Sequence, residues 1–140
     1  MSAERCPTRL EMVREDTKIY EYTATRVTDP TTNPLTTTPL VLTSATIRFT
    51  AKHDLQDSDA DAVFQKTTSS GITITGASTG EFNVKISPSD TADLDGCDGF
   101  TDLFYDCQVQ LGATNGSYIA GDVITIDSGI LTVYHDRTLA

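Results

Sequence analysis

The sequence has no tryptophan, only three cysteines and two histidines, and no lysine or arginine between residues 86 and 136. Each scarcity excludes something. No apolar run approaches the ~20 residues that a membrane-spanning helix requires. Lysine and arginine number 10 against 20 acids, a net charge of −10, which argues against direct binding to nucleic acid. Neither Gly-x-x-x-x-Gly-Lys nor Gly-x-Gly-x-x-Gly occurs, so no phosphate-cradling loop is expected. There is no Cys-x-x-Cys, and His53 and His135 lie far apart in sequence, which leaves a zinc site without ligands. Gly76-Ala-Ser-Thr-Gly80 has the Gly-x-Ser-x-Gly spacing but reads as the turn of a hairpin between two strands, not as the strand-to-helix elbow of a hydrolase, and the two histidines define no nucleophile, base and orienting group. The expectation is therefore no enzyme and no cofactor. Glu, Lys, Leu and Ala do not dominate, so a coiled coil is excluded. With no tryptophan, only Tyr20, Tyr22, Tyr105, Tyr118 and Tyr134 remain as sugar-stacking candidates, and sheet positions explain them equally well.

What is abundant is threonine, 24 of 140 residues, a β-branched residue suited to strands. A chain of 140 residues forms one domain, here 1–140, and buries roughly two-thirds of its unfolded surface. The charge is uneven. Residues 1–85 hold 11 acids and 9 bases, whereas 86–136 hold nine acids and no base. The C-terminal third therefore reads as an acidic surface with nothing to pair it. It serves either solubility through self-repulsion or docking of a basic partner or divalent cations. Cys6, Cys97 and Cys107 are an odd set, and Met1–Leu10 has no apolar run of a secretion signal. Free thiols in a reducing cytoplasm are expected, although Cys97 and Cys107 could pair across a hairpin.

Alternation of apolar and polar residues marks the strands. Thr8–Val13 is a weak candidate, Thr17–Val27 a stronger one, and Ala45–Lys52 the clearest. Gly71–Ile86 reads as a hairpin turning at Gly76–Gly80. Ser87-Pro-Ser-Asp opens a short helix near 88–94, with proline at its first position and Asp90 at its N-terminal end. Phe104–Leu111 is a further strand. Val123–Ile126 and Ile130–Tyr134 read as a closing hairpin around Asp127-Ser-Gly129. The stretch 28–39, TDPTTNPLTTTP, has three prolines and reads as a long loop or extended arm. About seven or eight short strands, one short helix and Gly/Pro/Asp turns predict an all-β antiparallel sandwich. Asp57, Asp59 and Asp61 have the one-three-five spacing of a calcium loop. Ala62 and Thr68 stand where glycine and glutamate are needed, so an EF-hand fails and at most a weak divalent cation site stays open.

One ordered set of motifs carries a resemblance. It runs Leu42-Thr-Ser-Ala-Thr-Ile-Arg-Phe49, Phe64-Gln-Lys-Thr67, Gly71-Ile-Thr-Ile74, Gly80-Glu-Phe-Asn-Val84, Ser87-Pro-Ser-Asp-Thr91, Tyr105-Asp-Cys-Gln-Val109 and Gly129-Ile-Leu-Thr-Val133. The set resembles the small immunoglobulin-like domain at the N-terminus of tailed-phage baseplate upper proteins, and similar small phage and prophage tail proteins. The resemblance implies an immunoglobulin-like β-sandwich and a non-enzymatic virion structural role, in tail or baseplate. It also implies assembly in the host cytoplasm through contacts with other virion proteins and with copies of itself. A head-surface or head–tail connector role, or a module binding host-surface protein or glycan, stands as the alternative. Two segments depart from the family pattern and are candidate partner contacts. The first holds Asp29, Pro30, Thr31, Thr32, Asn33, Pro34, Leu35 and Pro39. The second holds Asp95, Asp98 and Asp102.

Overall fold

The computed structural model describes residues 8–29, 31, 36–94, 99–116 and 118–135. Cys6, Cys97, Pro30, Thr32, Asn33, Pro34, Leu35, Asp95 and Asp98 lie outside them. The elements are β1 (Thr8–Val13), β2 (Lys18–Thr23), β3 (Thr25–Asp29), β4 (Thr36–Pro39), β5 (Thr46–Lys52), a 3-10 turn (Asp59–Asp61), β6 (Phe64–Thr68), β7 (Gly71–Gly76), β8 (Glu81–Ile86), α1 (Pro88–Thr91), β9 (Phe100–Gln110) and β10 (Val123–Tyr134).

Eight strands form one sheet in the order β1-β10-β9-β5-β6-β7-β8-β2, and β3 and β4 form a separate two-stranded ribbon. The chain passes from β6 to β7 through a tight jog. Thr67 N–H donates to the Ser70 carbonyl at 3.1 Å, and Ser69 takes a φ of 75°. The two edge strands, β1 and β2, are joined by only Arg14–Thr17. The sheet curls until Tyr20 Oη of β2 donates to the Glu11 carbonyl of β1 at 2.8 Å. The result is a nearly barrel-shaped sheet with its apolar face inward.

The period-two pattern explains that face. Ile47, Phe49 and Ala51 of β5 point inward beside Leu103, Tyr105, Cys107 and Val109 of β9, and all are buried. Across the interior stand Phe82, Val84 and Ile86 of β8, also buried. Phe49 lies at the centre, stacked on Tyr105 at 5.3 Å and on Phe64 at 6.2 Å between ring centroids.

Several expectations need correction. The sheet is not wholly antiparallel: β1 pairs parallel to β10, with Leu10 beside Leu131 and Met12 beside Val133. The closing hairpin does not exist. Asp127-Ser-Gly129 lies inside the single 12-residue strand β10, which pairs with β9 along its whole length through one bulge between Thr125 and Asp127. Turn-type residues made this stretch look like a hairpin, but the bulge uses them to aim Asp127 inward. Thr17–Val27 is two strands. The chain turns out of the sheet at Ala24, whose N–H donates to the Gly80 carbonyl and whose carbonyl accepts the Leu40 N–H, at 2.8 and 2.9 Å. The arm is a β-ribbon, with Arg26 opposite Thr38 and Thr25 opposite Pro39. Proline is tolerated there because each ribbon strand needs hydrogen bonds on one side only. The helix ends at Thr91, and β9 begins at Phe100, four residues before the apolar alternation at Phe104 suggests.

The C-terminal acids are also not without partners. Asp90 takes Lys66 Nζ at 2.6 Å, both side chains being largely buried, and accepts the Ser87 N–H at 2.7 Å. Asp102 lies 4.0 Å from Arg9 and accepts the Thr132 hydroxyl at 2.6 Å. The bases come from strands distant in sequence, which a count along the chain does not reveal.

Candidate functional site

The curled sheet has two ends with different chemistry. At one end stand the described residues of the ribbon and its flanks (24–45), the turn 76–80 and the described residues of the loop 111–121. Arg26 and Asp29 are the only charged residues in these three segments, and they cancel. At the other end stand Arg14–Lys18, the loop 52–63 and the described residues of 87–102. These hold nine carboxylates against Arg14, Lys18 and Lys52. The charge is therefore uneven along the axis of the sheet as well as along the chain, with Glu81 and Asp122 bordering the uncharged segments.

Local contacts build the uncharged end. Gly80 meets Ala24 and Leu40 at the ribbon's root. Leu42 N–H donates to the Ala77 carbonyl at 2.8 Å. Asn115 is buried and donates from Nδ2 to the Val41 carbonyl at 3.1 Å, while its backbone pairs with Tyr118. Gly116 leaves room for Arg26, because a Cβ there would overlap the guanidinium. The ribbon is thus seated on the loop 111–121. This end also exposes apolar side chains: Val41 at 38%, Tyr118 at 37%, Ile119 at 60% and, just beyond the loop, Val123 at 55%. The sequence offered Tyr118 only among the sugar-stacking candidates and Val123 only as the start of a strand, and Val41 and Ile119 were missed. Two signals could have found them: the charge-free runs 30–47 and 107–121, and apolar residues set among turn residues.

Of the expected contact residues, Asp29, Thr31 and Pro39 belong to the ribbon segment, with Asp29 opposite Thr36. Asp102 is at the far end, on β9. The structure therefore does not bring the two expected groups into one surface. In the acidic loop, Asp59 pairs with Lys52 at 2.9 Å. Asp61 accepts the Ser58 hydroxyl at 3.1 Å, and Asp57 accepts the Asp54 N–H at 3.2 Å. Among the described residues no group of three or more His, Cys, Asp or Glu could hold a metal ion. Among them, too, no helix is long and apolar enough to cross a membrane.

A buried polar tie lies between the ribbon's root and the core. Asp127 Oδ2 accepts hydroxyl hydrogen bonds from Tyr22 at 2.8 Å and Tyr105 at 2.9 Å. Burial, then the hydrogen bond to Asp127, hold the Tyr22 hydroxyl far above its ordinary value. Burial pushes the Cys107 thiol up to about 12, with the Asp127 and Asp106 charges adding. Burial and then the Glu11 charge bring Tyr20 to about 12. All three groups are neutral when protonated, and their folded values lie above their unfolded ones near 8.5 and 10. Their contribution to stability is complete below about pH 8.5 and is lost as pH rises through the folded values. Thermal melts are expected to be level from about pH 6 to 8 and to fall from about pH 9 upward. In Cys107→Ala the decline should begin nearer pH 10, where the tyrosines alone titrate. An unchanged onset would show that the thiol makes no such contribution.

Compared with known proteins, the sequence matches no family model and no curated protein.

Proposed function

We propose that this chain is a non-enzymatic structural subunit of a tailed-phage particle, in the tail or baseplate, that docks through its ribbon end. The observation that carries the docking is the coincidence of three features at one end: a two-stranded ribbon outside the main sheet, exposed apolar side chains and little charge within its segments. Contact surfaces deplete charge at their centre and enrich aromatic and apolar residues. A ribbon whose outer edges are unsatisfied by its own sheet offers main-chain groups for strand addition. The virion assignment rests on the ordered motifs between Leu42 and Val133. The finer reading as an immunoglobulin-like sandwich rests on the same motifs, supported by the short pairing of β6 with β7, two residue pairs long, at which the sheet bends.

The test is deletion of Thr31–Thr38 in the producing phage or prophage. The shortened chain should melt as a folded domain, since the core lies in the other sheet, yet be missing from purified particles by immunoblot. Normal incorporation would defeat the docking role. Immunogold microscopy of particles carrying the intact chain should label the tail or its tip. Gold on the capsid would move the subunit to the head, and unlabelled particles would defeat the virion assignment.

A further inference from the structure

We propose that Asn115–Gly116 is a self-modification site latched by the ribbon, where the Asn115 side chain converts irreversibly to aspartate or isoaspartate once the ribbon leaves its seat. The proposal does not depend on what the ribbon end docks with. Asn115–Gly116 is the only Asn-Gly in the chain. Asn33 precedes a proline, which has no N–H to react, and Asn83 precedes the β-branched Val84. Glycine matters because no side chain shields its nitrogen. In the reaction the Gly116 nitrogen gives its proton to hydroxide and attacks Cγ of Asn115. The new N–C bond closes a five-membered succinimide, and the side-chain nitrogen takes a proton from water and leaves as ammonia. Water then opens the ring at either carbonyl, which yields aspartate or isoaspartate. Water is the only co-reactant.

The closed structure prevents this. Asn115 is only 6% exposed. Its Nδ2 donates to the Val41 carbonyl at 3.1 Å, so Cγ cannot swing onto the Gly116 nitrogen without breaking that bond. Its N–H donates to the Tyr118 carbonyl at 2.8 Å, and its carbonyl accepts the Tyr118 N–H at 3.1 Å, which pins the backbone of the turn. The cover comes from both arms of the ribbon. Val41 follows β4, and Arg26 of β3 lies against Gly116, where a Cβ would overlap its guanidinium. β3 and β4 form their own two-stranded sheet. Such a pair is marginal in water by itself, so the ribbon opens more readily than the core. The product cannot restore the seat. A carboxylate has no N–H for the Val41 carbonyl and sets its charge against that oxygen. Isoaspartate also lengthens the backbone inside the Asn115–Tyr118 turn. The modification therefore unlatches the ribbon in one direction only.

Mass mapping of chymotryptic peptides tests this after incubation of the full chain in mildly alkaline buffer. The chain unfolded in denaturant sets the unguarded rate. The folded chain should be modified at residue 115 more slowly by roughly tenfold or more, because only its open fraction reacts. The chain lacking Thr31–Thr38 and the Gly80→Ala chain should both approach the unfolded rate, while Asn83 in the same digests stays unmodified. Acceleration in either variant supports the latch, and slow modification in both overturns it. Equal rates in the folded and unfolded chains, or no modification in the unfolded chain, would also overturn it. Asn115→Asp installs one product directly. It should melt at a lower temperature and exchange faster at the Leu42 amide, which bonds the Ala77 carbonyl in the parent. An Asn115→Asp chain with the parent's stability and exchange would overturn the one-way unlatching.

Discussion

Asp127→Ala is expected to lower the stability of the domain by about 3 kcal/mol, because two hydrogen bonds to a charged acceptor are lost at once. For a domain of this size that is a fall in melting temperature of roughly 10 °C. One carboxylate oxygen joins Tyr22 on β2 to Tyr105 on β9. Its removal takes a hydrogen bond from the Tyr105 hydroxyl, on a residue only 3% exposed. It also frees Tyr22, which stacks on Phe82 at 5.2 Å. Asp127→Asn keeps an acceptor oxygen without the charge and should cost about half as much. Tyr22→Phe removes one donor and retains the ring, so about 1–2 kcal/mol is expected. Denaturant titration of the four proteins checks the order. An alanine variant as stable as the parent would show that the tie contributes nothing.

Gly80→Ala should be comparably damaging, for a different reason. Gly80 has a φ of 75°, a conformation that costs an L-residue about 1–2 kcal/mol. A Cβ would also sit on the Ala24 carbonyl oxygen and come within 3.1 Å of that of Leu40. Both are backbone atoms, and Ala24 and Leu40 are hydrogen-bonded to each other at the ribbon's root. Neither can move without opening that corner, so the total expected loss is about 3 kcal/mol. Hydrogen exchange should show the Ala24 and Leu40 amides losing protection first. Stability and exchange equal to the parent would mean that the corner yields easily. Because this corner launches the ribbon, the same substitution should also weaken any contact the ribbon makes.

The legible parts of this protein are those that local pattern controls. Alternation alone marked β5 and β8 and placed Ile47, Phe49, Phe82, Val84 and Ile86 on the buried face. Ser87-Pro-Ser-Asp announced the helix, and Gly76–Gly80 announced its turn. The proline-rich stretch reads in sequence as a long loop or extended arm and not as a ribbon, because pairing with Thr25–Asp29 depends on the chain leaving the sheet at Ala24. Residues 127–129 have turn composition in any local window. They lie inside a strand because β9 offers a continuous partner, and because Tyr22 and Tyr105, 105 and 22 residues away, supply donors for an inward carboxylate. Net charge and its sign were set by composition, and so were the charge-free runs 30–47 and 107–121. Only the tertiary structure brought the described parts of 36–45 and 111–121 to one end, Lys66 to Asp90 and Arg9 to Asp102. The physical reason is range: alternation and turn propensity act over a few residues, whereas the meeting of charges and hydroxyls depends on which strands pair.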